Sequence, residues 1–297
     1  MSRHWFRGNL HTHTTNSDGD SPPDVVAAWY RDAGYDFLAL TDHDLLTPAS
    51  DVGGAAGSML LIRGEEVTSG DAHVNAFGIG EALPPLFGMD VRETLQLDID
   101  AIRAAGGVPS LNHPNFVWQA SPWDMAQLEG LTLFEVFNGG PDVNNWGRPG
   151  RPGMDEAWDI VLTMGRRMLA VATDDAHHFQ AWGRPYSNPG RGWVVIRAEH
   201  CRESELLTNL EAGDFYATTG LEIADLSTDG PEIAIDIATR GDQHYTTRFV
   251  GRGGQLLDLV HGPSPRYRIT GHEGYVRARV DDSDGLCAWT QPRFLER

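Results

Sequence analysis

Short apolar runs alternate with amphipathic stretches over residues 1–220 of the chain. Apolar positions at helical spacing predict a helix after the capping candidate Ser21 and further helices over residues 91–105, 154–166 and 204–212. The apolar runs predict strands over residues 6–11, 37–40, 60–62, 74–79, 108–111, 131–137, 168–172 and 192–197. Strands that alternate with helices of this length are typical of βαβ units, so the pattern predicts a parallel sheet or barrel of the α/β class.

The pattern changes at residue 221, where apolar and polar residues begin to alternate with a period of two. This alternation predicts strands over residues 232–238, 247–250, 267–269 and 275–280, separated by Gly-containing turns and with no helix after Gly213. We therefore predict two domains, which are an α/β barrel over residues 1–220 and a small antiparallel β appendage over residues 221–297.

The charge of the chain restricts its partners. Its 297 residues include 42 Asp and Glu against 23 basic residues, for a formal net charge of −19. Charge-driven binding to nucleic acid or anionic lipid needs basic patches, so we expect no stable nucleic acid complex and no membrane association. All 23 basic residues are arginines. The absence of lysine excludes Schiff-base catalysis, a P-loop nucleotide site and a metal pair bridged by carbamylated lysine.

The cysteines and the termini bear on the cellular compartment. Cys201 and Cys287 lie far apart, which argues against a disulfide framework. We recognise no signal peptide before the motif that begins at His11, and no apolar run approaches the ~18 residues of a transmembrane helix. We therefore expect a soluble cytoplasmic protein.

Histidines mark the ends of several predicted strands. The chain has 12 histidines, and eight of them fall within residues 1–178. The first strand ends in His11-Thr12-His13, and residues two apart on a strand face the same side. The two imidazoles can therefore bind one metal ion, although a chain this rich in histidine also produces such a pair by chance.

Carboxylates accompany these histidines. Asp18 belongs to an Asp-Gly pair, for which an ordinary turn is the alternative interpretation. The second strand runs into Asp42-His43-Asp44. At the carboxyl end of a barrel strand such a cluster is typical of an active site, with a polar helix cap as the alternative. The third predicted strand is followed by Glu65-Glu66.

Later strands continue the pattern, because His73 opens one, His113 ends the next, and Asp175 and His177 follow the strand over residues 168–172. A parallel barrel gathers the carboxyl ends of its strands in one place. Mixed nitrogen and carboxylate ligands suit Zn²⁺, Mn²⁺ or Fe²⁺, and a set this large suits two or three ions. The nine ligand candidates are His11, His13, Asp18, His43, Glu66, His73, His113, Asp175 and His177.

The ordered series of motifs resembles the PHP (polymerase and histidinol phosphatase) superfamily of metallohydrolases. In chain order the motifs are HTH, SDG, TDHD, GEEVT, NHP, EVFN and DDAHH. The opening GNLHTHTTNSDG, joined to a β-rich tail, resembles more specifically the CehA/McbA branch, which is named for a carbaryl hydrolase. The resemblance covers residues 5–200 motif by motif and the tail more loosely. It implies a distorted (β/α)7 barrel that holds up to three metal ions.

The resemblance also implies how the ligands are shared among the ions. It assigns His11, His13 and Asp175 to one ion, Glu66, His73 and His113 to a second, and Asp18, His43 and His177 to a third. Glu66, two residues after Gly64, is the implied bridge between the first two ions. Some PHP enzymes have histidine where this chain has Asp18.

The predicted chemistry is attack by a hydroxide that bridges the metal ions, because divalent ions lower the pKa of their bound water towards 7. The leaving group then needs a proton. The candidate donors are His178, Asp174 and Asp44, each of which can instead orient a ligand imidazole.

Arginines in two loops favour a phosphorylated substrate. Arg148 lies in the loop after Asn138, and Arg184 and Arg191 lie in the loop after His178. Guanidinium groups bind phosphate in a bidentate manner, so these side chains are candidate substrate contacts. An ordinary solvated loop arginine is the alternative at each position.

The sequence therefore predicts a metal-dependent phosphoesterase that cleaves a small phosphate monoester or diester, nucleotide-like substrates included. A carbamate, ester or amide hydrolase with the same metal site is the first alternative, which the carbaryl hydrolase resemblance suggests. A non-catalytic, metal-stabilised barrel that serves as an interaction module is the second. Loss of a ligand would support that second alternative, and all nine positions carry competent ligand types.

Overall fold

The structure is a computed structural model that describes residues 3–295. It is a mixed α/β fold, which confirms the predicted class. Its α-helices are α1 (Pro23–Asp32), α2 (Ala49–Val52), α3 (Val91–Ala104), α4 (Pro122–Met125), α5 (Met154–Thr163) and α6 (Glu203–Ala212). Single turns of 3-10 helix lie at Phe116–Trp118 and Arg252–Gly254.

Ten strands lie within the first 220 residues. They are β1 (His4–Asn9), β2 (Phe37–Ala39), β3 (Leu60–Ile62), β4 (Gly64–Ser69), β5 (Ala72–Phe77), β6 (Val108–Leu111), β7 (Leu133–Asn138), β8 (Leu169–Thr173), β9 (Trp193–Ala198) and β10 (Phe215–Thr218). The remaining strands are β11 (Ile223–Ser227), β12 (Glu232–Ile237), β13 (Tyr245–Gly251), β14 (Gln255–His261), β15 (Arg266–Arg268), β16 (Tyr275–Asp282), β17 (Cys287–Thr290) and β18 (Arg293–Phe294).

Helix α3 shows why the helical pattern was informative. Asp90 caps its first turn, since the carboxylate accepts a hydrogen bond from the amide of Glu93 at 2.8 Å. Leu95, Ile99 and Ile102 follow at helical spacing and are fully buried against the sheet. The predicted cap of α1 is wrong, because Pro22 occupies the capping position and the hydroxyl of Ser21 donates to Asp20 instead.

The sheets are mixed, which corrects the expectation of a parallel sheet. Strands β1, β2 and β3 are parallel, as are β6, β7 and β8. However, β9 lies antiparallel to β1, and the β4–β5–β6 segment is antiparallel throughout. The structure also separates β4 from β3, so Glu66 lies within a strand of its own rather than at the end of the preceding one.

The two main sheets do not close into one hydrogen-bonded ring within residues 3–295. One follows the order β14-β13-β16-β17-β10-β9-β1-β2-β3, and the other follows β4-β5-β6-β7-β8. They meet at isolated parallel bridges, Thr12 with Ala176 and His43 with Glu66. Both bridges lie just beyond the carboxyl ends of strands β1, β2 and β8, so contact between the sheets is concentrated at that end.

The chain after residue 220 forms antiparallel strands and, within its described part, no α-helix, as predicted. A separate sheet has the order β11-β12-β15. The other tail strands extend the main sheet, because β17 pairs with β10 across the predicted domain boundary. The division into two domains stays a prediction, and the hydrogen bonding runs continuously across it.

No helix within residues 3–295 is long and apolar enough to cross a membrane.

A buried ion network fastens the tail to helix α5. The Arg277 guanidinium contacts Asp159 at 2.7 Å and Asp155 at 2.9 Å. The hydroxyl of Tyr275 donates to Asp159, and the indole of Trp289 donates to Asp155. Only 2% of the Arg277 side chain is exposed, so removing it leaves carboxylates buried without their counter-charge.

We therefore expect Arg277→Ala to lower the free energy of unfolding by about 3–5 kcal/mol, since a broken buried ion pair leaves an uncompensated charge. Urea unfolding followed by circular dichroism measures the change. Arg266→Ala is the matched control, because Arg266 forms a more exposed pair with Asp236 and its loss should cost at most about 1 kcal/mol. Equal effects of the two substitutions would contradict this account of the junction.

Candidate metal centre

Six histidines and three carboxylates meet at the carboxyl ends of the strands. They are the nine side chains that the sequence singled out, and the structure brings all of them together. Their potential ligand atoms form four overlapping groups, and the atoms of each group lie within 4.8 Å of one another. The groups are His11, His13 and Glu66; His11, His113 and Asp175; His43, Glu66 and His73; and His13, Asp18, His43 and His177.

Glu66 lies at the middle of the cluster. Its Oε2 is 3.3 Å from Nε2 of His11 and 3.2 Å from Nε2 of His13. The same oxygen is 3.2 Å from Nδ1 of His43. Its Oε1 is 2.9 Å from Nδ1 of His73 and 3.4 Å from Nε2 of His113. One carboxylate therefore contacts five imidazoles, and its two oxygens face different subsets of them.

Asp175 lies on the other side of the same imidazoles. Its Oδ1 is 3.2 Å from Nε2 of His11, 3.3 Å from Nε2 of His13 and 3.6 Å from Nδ1 of His177. Glu66 and Asp175 thus bracket the first pair of histidines, and both carboxylates are buried.

Asp18 forms the outer part of the cluster. Its Oδ1 is 3.4 Å from Nδ1 of His13 and 3.3 Å from Nε2 of His177, and its Oδ2 is 3.6 Å from Nε2 of His43. The side chain is 54% exposed, in contrast to Glu66 at 1%. The group that contains Asp18 is therefore the part of the cluster nearest to solvent.

Opposite charges shift the pKa values of the cluster. Burial alone would raise the pKa values of Glu66 and Asp175, but the nearby imidazoles hold both well below their usual range. Burial would lower the pKa of His11, but Asp175, Glu66 and Glu135 raise it well above its usual value. Burial would also lower the pKa of His177, but the carboxylates of Asp18 and Asp175 raise it to about 9.

The donor set fits divalent transition metals. Nε2 of His11 and Nε2 of His13 lie 3.2 Å apart and are directed at the same carboxylates. Oδ1 of Asp175 is buried and lies within 3.6 Å of three imidazole nitrogens, yet it accepts no hydrogen bond from the described residues. An unpartnered buried oxygen beside converging imidazole nitrogens is what a metal ion would satisfy, and nitrogen with carboxylate ligands suits Zn²⁺, Mn²⁺ or Fe²⁺.

Glu135 in strand β7 supports the cluster, a role that the sequence pattern does not predict. Its fully buried carboxylate lies 2.7 Å from Nδ1 of His11, on the side of the ring opposite to the other ligands. It also accepts a hydrogen bond from the hydroxyl of Thr173 at 2.6 Å and one from the amide of His113 at 2.7 Å. The signal was present in the sequence, since Glu135 lies in a strand that ends with Asn138.

Other side chains outside the cluster hold its members in place. Asn112 donates to Oε1 of Glu66 at 2.8 Å, and the hydroxyl of Thr68 lies 2.6 Å from Nδ1 of His43. Asp42 accepts hydrogen bonds from the amide of Thr14 at 2.7 Å and the hydroxyl of Ser17 at 2.8 Å. Asp42 therefore fixes the loop that presents Asp18.

The backbone adopts rare conformations at several of these positions. Three residues of the site have positive φ values in the left-handed region, which residues other than glycine rarely adopt. They are Asp44 at +52°, His113 at +25° and Asp175 at +48°. Hydrogen bonds hold all three. The amide of Asp44 donates to the carbonyl of Glu66, the amide of His113 donates to the carboxylate of Glu135, and the amide of Asp175 donates to the carbonyl of His11. Such conformations persist where surrounding contacts fix them, and they concentrate at functional sites.

A cavity of about 360 Å³ opens beside the cluster, and His178 lines it. Nδ1 of His178 is buried and has no hydrogen-bond partner among the described residues. The ring packs on Tyr186 with centroids 5.1 Å apart. Of the three predicted proton donors, His178 is the one that borders the cavity.

Asp174 and Asp44 do not border the cavity, which argues against their predicted role as proton donors. Asp174 is fully buried, and burial raises its pKa to about 6. It accepts hydrogen bonds from the amides of Gly190, Arg191 and Gly192 and from the hydroxyl of Tyr30, so its four lone-pair positions are filled. Asp44 is exposed and accepts a hydrogen bond from the amide of Thr68.

The three predicted substrate arginines also lie outside the lining of the cavity. The Arg191 guanidinium donates to the carbonyls of Gly139 and Gly183 and therefore braces two loops. The guanidinium of Arg148 lies 4.8 Å from the centre of the Trp118 ring. Arg184 is exposed. The structure thus removes the main sequence-based reason for preferring phosphate over a carbonyl substrate.

Solved structures resemble this chain to different degrees. One is a two-domain protein from Bacteroides vulgatus ATCC 8482 that contains a predicted PHP-like metal-dependent phosphoesterase. It is 16% identical, matches over 99% of this chain and 88% of its own, and has a TM-score of 0.55. A proposed metal-dependent phosphoesterase from Bifidobacterium adolescentis ATCC 15703 is 16% identical over 61% of this chain and 89% of its own, with a TM-score of 0.45.

An amidohydrolase from Chromobacterium violaceum, with bound sulfate and no metal, is 17% identical over 58% of this chain and 88% of its own, with a TM-score of 0.39. No family model and no curated protein matches the chain. The full-length similarity to the Bacteroides protein shows that the two proteins share a fold, as the resemblance to the PHP superfamily implied. The CehA/McbA branch stays a prediction.

The contact between Glu135 and His11 leads to a prediction about metal affinity. A carboxylate that accepts from the second ring nitrogen fixes the tautomer and orientation of a ligand imidazole, and its loss usually costs about 10–100-fold in affinity. We expect Glu135→Gln to weaken binding of Zn²⁺ by that factor, measured by competition with a chromophoric chelator.

Glu129→Gln is the matched control, because the Glu129 side chain is 79% exposed and its contact with Arg166 is a surface ion pair. Far-ultraviolet circular dichroism would establish that both variants are folded. Wild-type affinity in folded Glu135→Gln would contradict the positioning role.

Proposed function

We propose that this protein is a metal-dependent hydrolase built on a distorted (β/α)7 barrel of the PHP type, in the CehA/McbA-like branch, and that it cleaves small phosphate esters. Monoesters and diesters are both included, as are nucleotide-like substrates. The convergence of six imidazoles and three carboxylates beside an accessible cavity carries the proposal.

Two or three divalent ions, Mn²⁺, Fe²⁺ or Zn²⁺, would be held by the nine clustered side chains. By the resemblance to PHP enzymes, His11, His13 and Asp175 would hold one, His73 and His113 a second, and Asp18, His43 and His177 a third, with Glu66 shared between the first two. The third set lies within one of the four groups of neighbouring ligand atoms. The other two sets are divided differently, since His113 groups with His11 and Asp175, and His73 groups with His43 and Glu66. Such ions supply Lewis acidity and hydroxide at neutral pH.

His178 has the role of proton donor to the leaving group. Its Nδ1 has no described partner, and the residue borders the cavity in which a substrate would lie. An imidazole has two ring nitrogens that can each carry or release a proton, which suits a group that must do both during each turnover. The hydrogen bond from the His178 amide to the carbonyl of Ser187 fixes the backbone at this position.

Charge balance supports an anionic substrate even though no arginine lines the cavity. Three divalent ions would carry six positive charges, against five negative charges on the three clustered carboxylates, Glu135 and a metal-bound hydroxide. A site loaded with three ions would therefore have a positive potential, and a phosphate ester would be attracted to it by the ions rather than by guanidinium groups.

A carbonyl substrate is the second candidate, and the cavity wall favours it. Phe116, Pro141 and Pro185 line the cavity, whereas arginine is absent from its described lining. An apolar wall of this kind suits an uncharged carbamate, ester or amide, which needs the same metal chemistry and no anion contact.

Hydrolysis of a mixed panel by protein loaded with Mn²⁺, Fe²⁺ or Zn²⁺ tests both candidates. The panel contains phosphate monoesters, phosphodiesters, bisphosphonucleotides and a naphthyl carbamate. We expect phosphate ester hydrolysis that His113→Ala lowers by at least about 100-fold, since loss of a ligand disrupts metal-ion catalysis. His200→Ala, which changes an exposed histidine paired with Glu205, should leave the rate unchanged.

Each other outcome has a distinct meaning. Turnover of the carbamate alone would move the assignment to carbonyl hydrolysis. Inactivity across the panel with metal ions bound would contradict the phosphoesterase proposal and favour the non-catalytic alternative. Equal loss of activity in His113→Ala and His200→Ala would show that the observed hydrolysis does not depend on the cluster.

A further inference from the structure

A second, larger cavity of about 610 Å³ lies at the opposite end of the parallel strands from the metal cluster. Leu169, at the start of β8, and Phe215, at the start of β10, both line it. Asp175 follows the other end of β8. About six residues of extended chain, roughly 20 Å, therefore separate Leu169 in the cavity from Asp175 in the metal cluster. An occupant of this cavity would therefore not be the molecule that reacts at the metal cluster.

The cavity, here called the junction cleft, lies between the two predicted domains. One wall contains the end of α6 and of β9, and the other contains residues of β11 and the segment 291–293. Gln291 fastens the walls together, because its side-chain amide makes two hydrogen bonds of 2.9 Å with the backbone of Ala170 in β8. The cleft is thus a fixed feature of the junction rather than a gap between loosely attached parts.

Four guanidinium groups line the junction cleft. Backbone carbonyls hold three of them in place, since Arg167 donates to Glu211 and Ala212, Arg197 donates to Leu226, and Arg293 donates to Thr228. The fourth arginine, Arg3, pairs with Asp214. Each guanidinium has five N–H donors on three nitrogens. The described contacts of each use at most two of these nitrogens, so donors remain for a ligand.

The charge of the cleft is opposite to that of the chain. Four arginines line it against three aspartates, Asp214, Asp225 and Asp229, whereas the whole chain has 42 acidic and 23 basic residues. The lining therefore has a formal excess of one positive charge on a chain of net charge −19, and Arg3 and Arg197 share one counter-charge, Asp214. Immobilised guanidinium groups are also the donors best suited to the planar or tetrahedral oxygen sets of carboxylate and phosphate.

We infer that the junction cleft binds a small oxyanion-bearing molecule, an organic phosphate or a carboxylate, at a site separate from the metal centre. The volume of the cleft lies within the range of about 300–1,000 Å³ that is typical of small-molecule sites. Arg3 precedes β1 and Arg167 precedes β8, the strands whose far ends lead to His11 and Asp175. The ligand would therefore contact the same strands that carry the metal cluster.

Isothermal titration of the full-length protein with inorganic phosphate and, separately, with succinate tests the site. We expect saturable binding of at least one anion to wild-type protein. The anion that binds more tightly identifies the ligand class, with phosphate indicating an organic phosphate and succinate indicating a carboxylate. The double variant Arg197→Gln/Arg293→Gln should bind that anion at least about tenfold more weakly, because each lost charge-assisted hydrogen bond contributes about that factor or more.

The matched control is Arg240→Gln/Arg266→Gln. These arginines lie in the same tail, and their exposed ion pairs with Glu222 and Asp236 lie outside the cleft. The control should bind like wild type, and so should His113→Ala, in which the metal cluster is damaged. Arg3→Gln is a second cleft variant in case the double variant does not fold, because the Arg3 side chain is 40% exposed and Arg3 precedes the first strand.

Three results would overturn the inference. The first is no saturable binding of either anion to wild-type protein. The second is unchanged affinity in folded cleft variants. The third is loss of binding in His113→Ala, which would place the anion at the metal cluster. None of these results depends on the proposed hydrolase activity, so failure of that proposal would be recognised separately in the substrate panel.

Discussion

Glu66 is buried in contact with five imidazoles, and a carboxylate in that position must be balanced by positive charge. Protons on the imidazoles or metal ions between the ligands can supply that charge. The orphaned oxygen of Asp175 and the paired nitrogens of His11 and His13 favour metal ions. The convergence of five imidazoles on one carboxylate meets this requirement.

The fold meets the requirement by joining its two sheets at the cluster itself. The isolated bridge between His43 and Glu66 links one sheet to the other through two candidate ligands. Glu135 braces His11 and the strained backbone of His113 from behind. The contact between the sheets and the geometry of the site therefore depend on the same residues. This explains how two sheets that do not close into a ring can still hold nine candidate ligands close together.

The sequence was informative wherever periodicity or local chemistry decides the outcome. Helix α3 and the nine ligand candidates could be predicted because apolar spacing and strand-end histidines are local signals. The separate strand β4, the antiparallel pairing of β9 and the open sheets could not, because pairing depends on contacts distant in the chain. The contacts of Arg191 and Asp174 could not be predicted for the same reason. Their polar groups satisfy buried backbone atoms, and no local pattern distinguishes that role from contact with a substrate.

The most direct test of the central claim is the metal content of the purified wild-type protein, measured by inductively coupled plasma mass spectrometry after saturation with Mn²⁺, Fe²⁺ or Zn²⁺ and removal of free ions. The account predicts two or three tightly bound ions per chain. A protein that retains no divalent ion, with its fold intact, would show that the buried cluster is balanced by protons alone and would contradict the account.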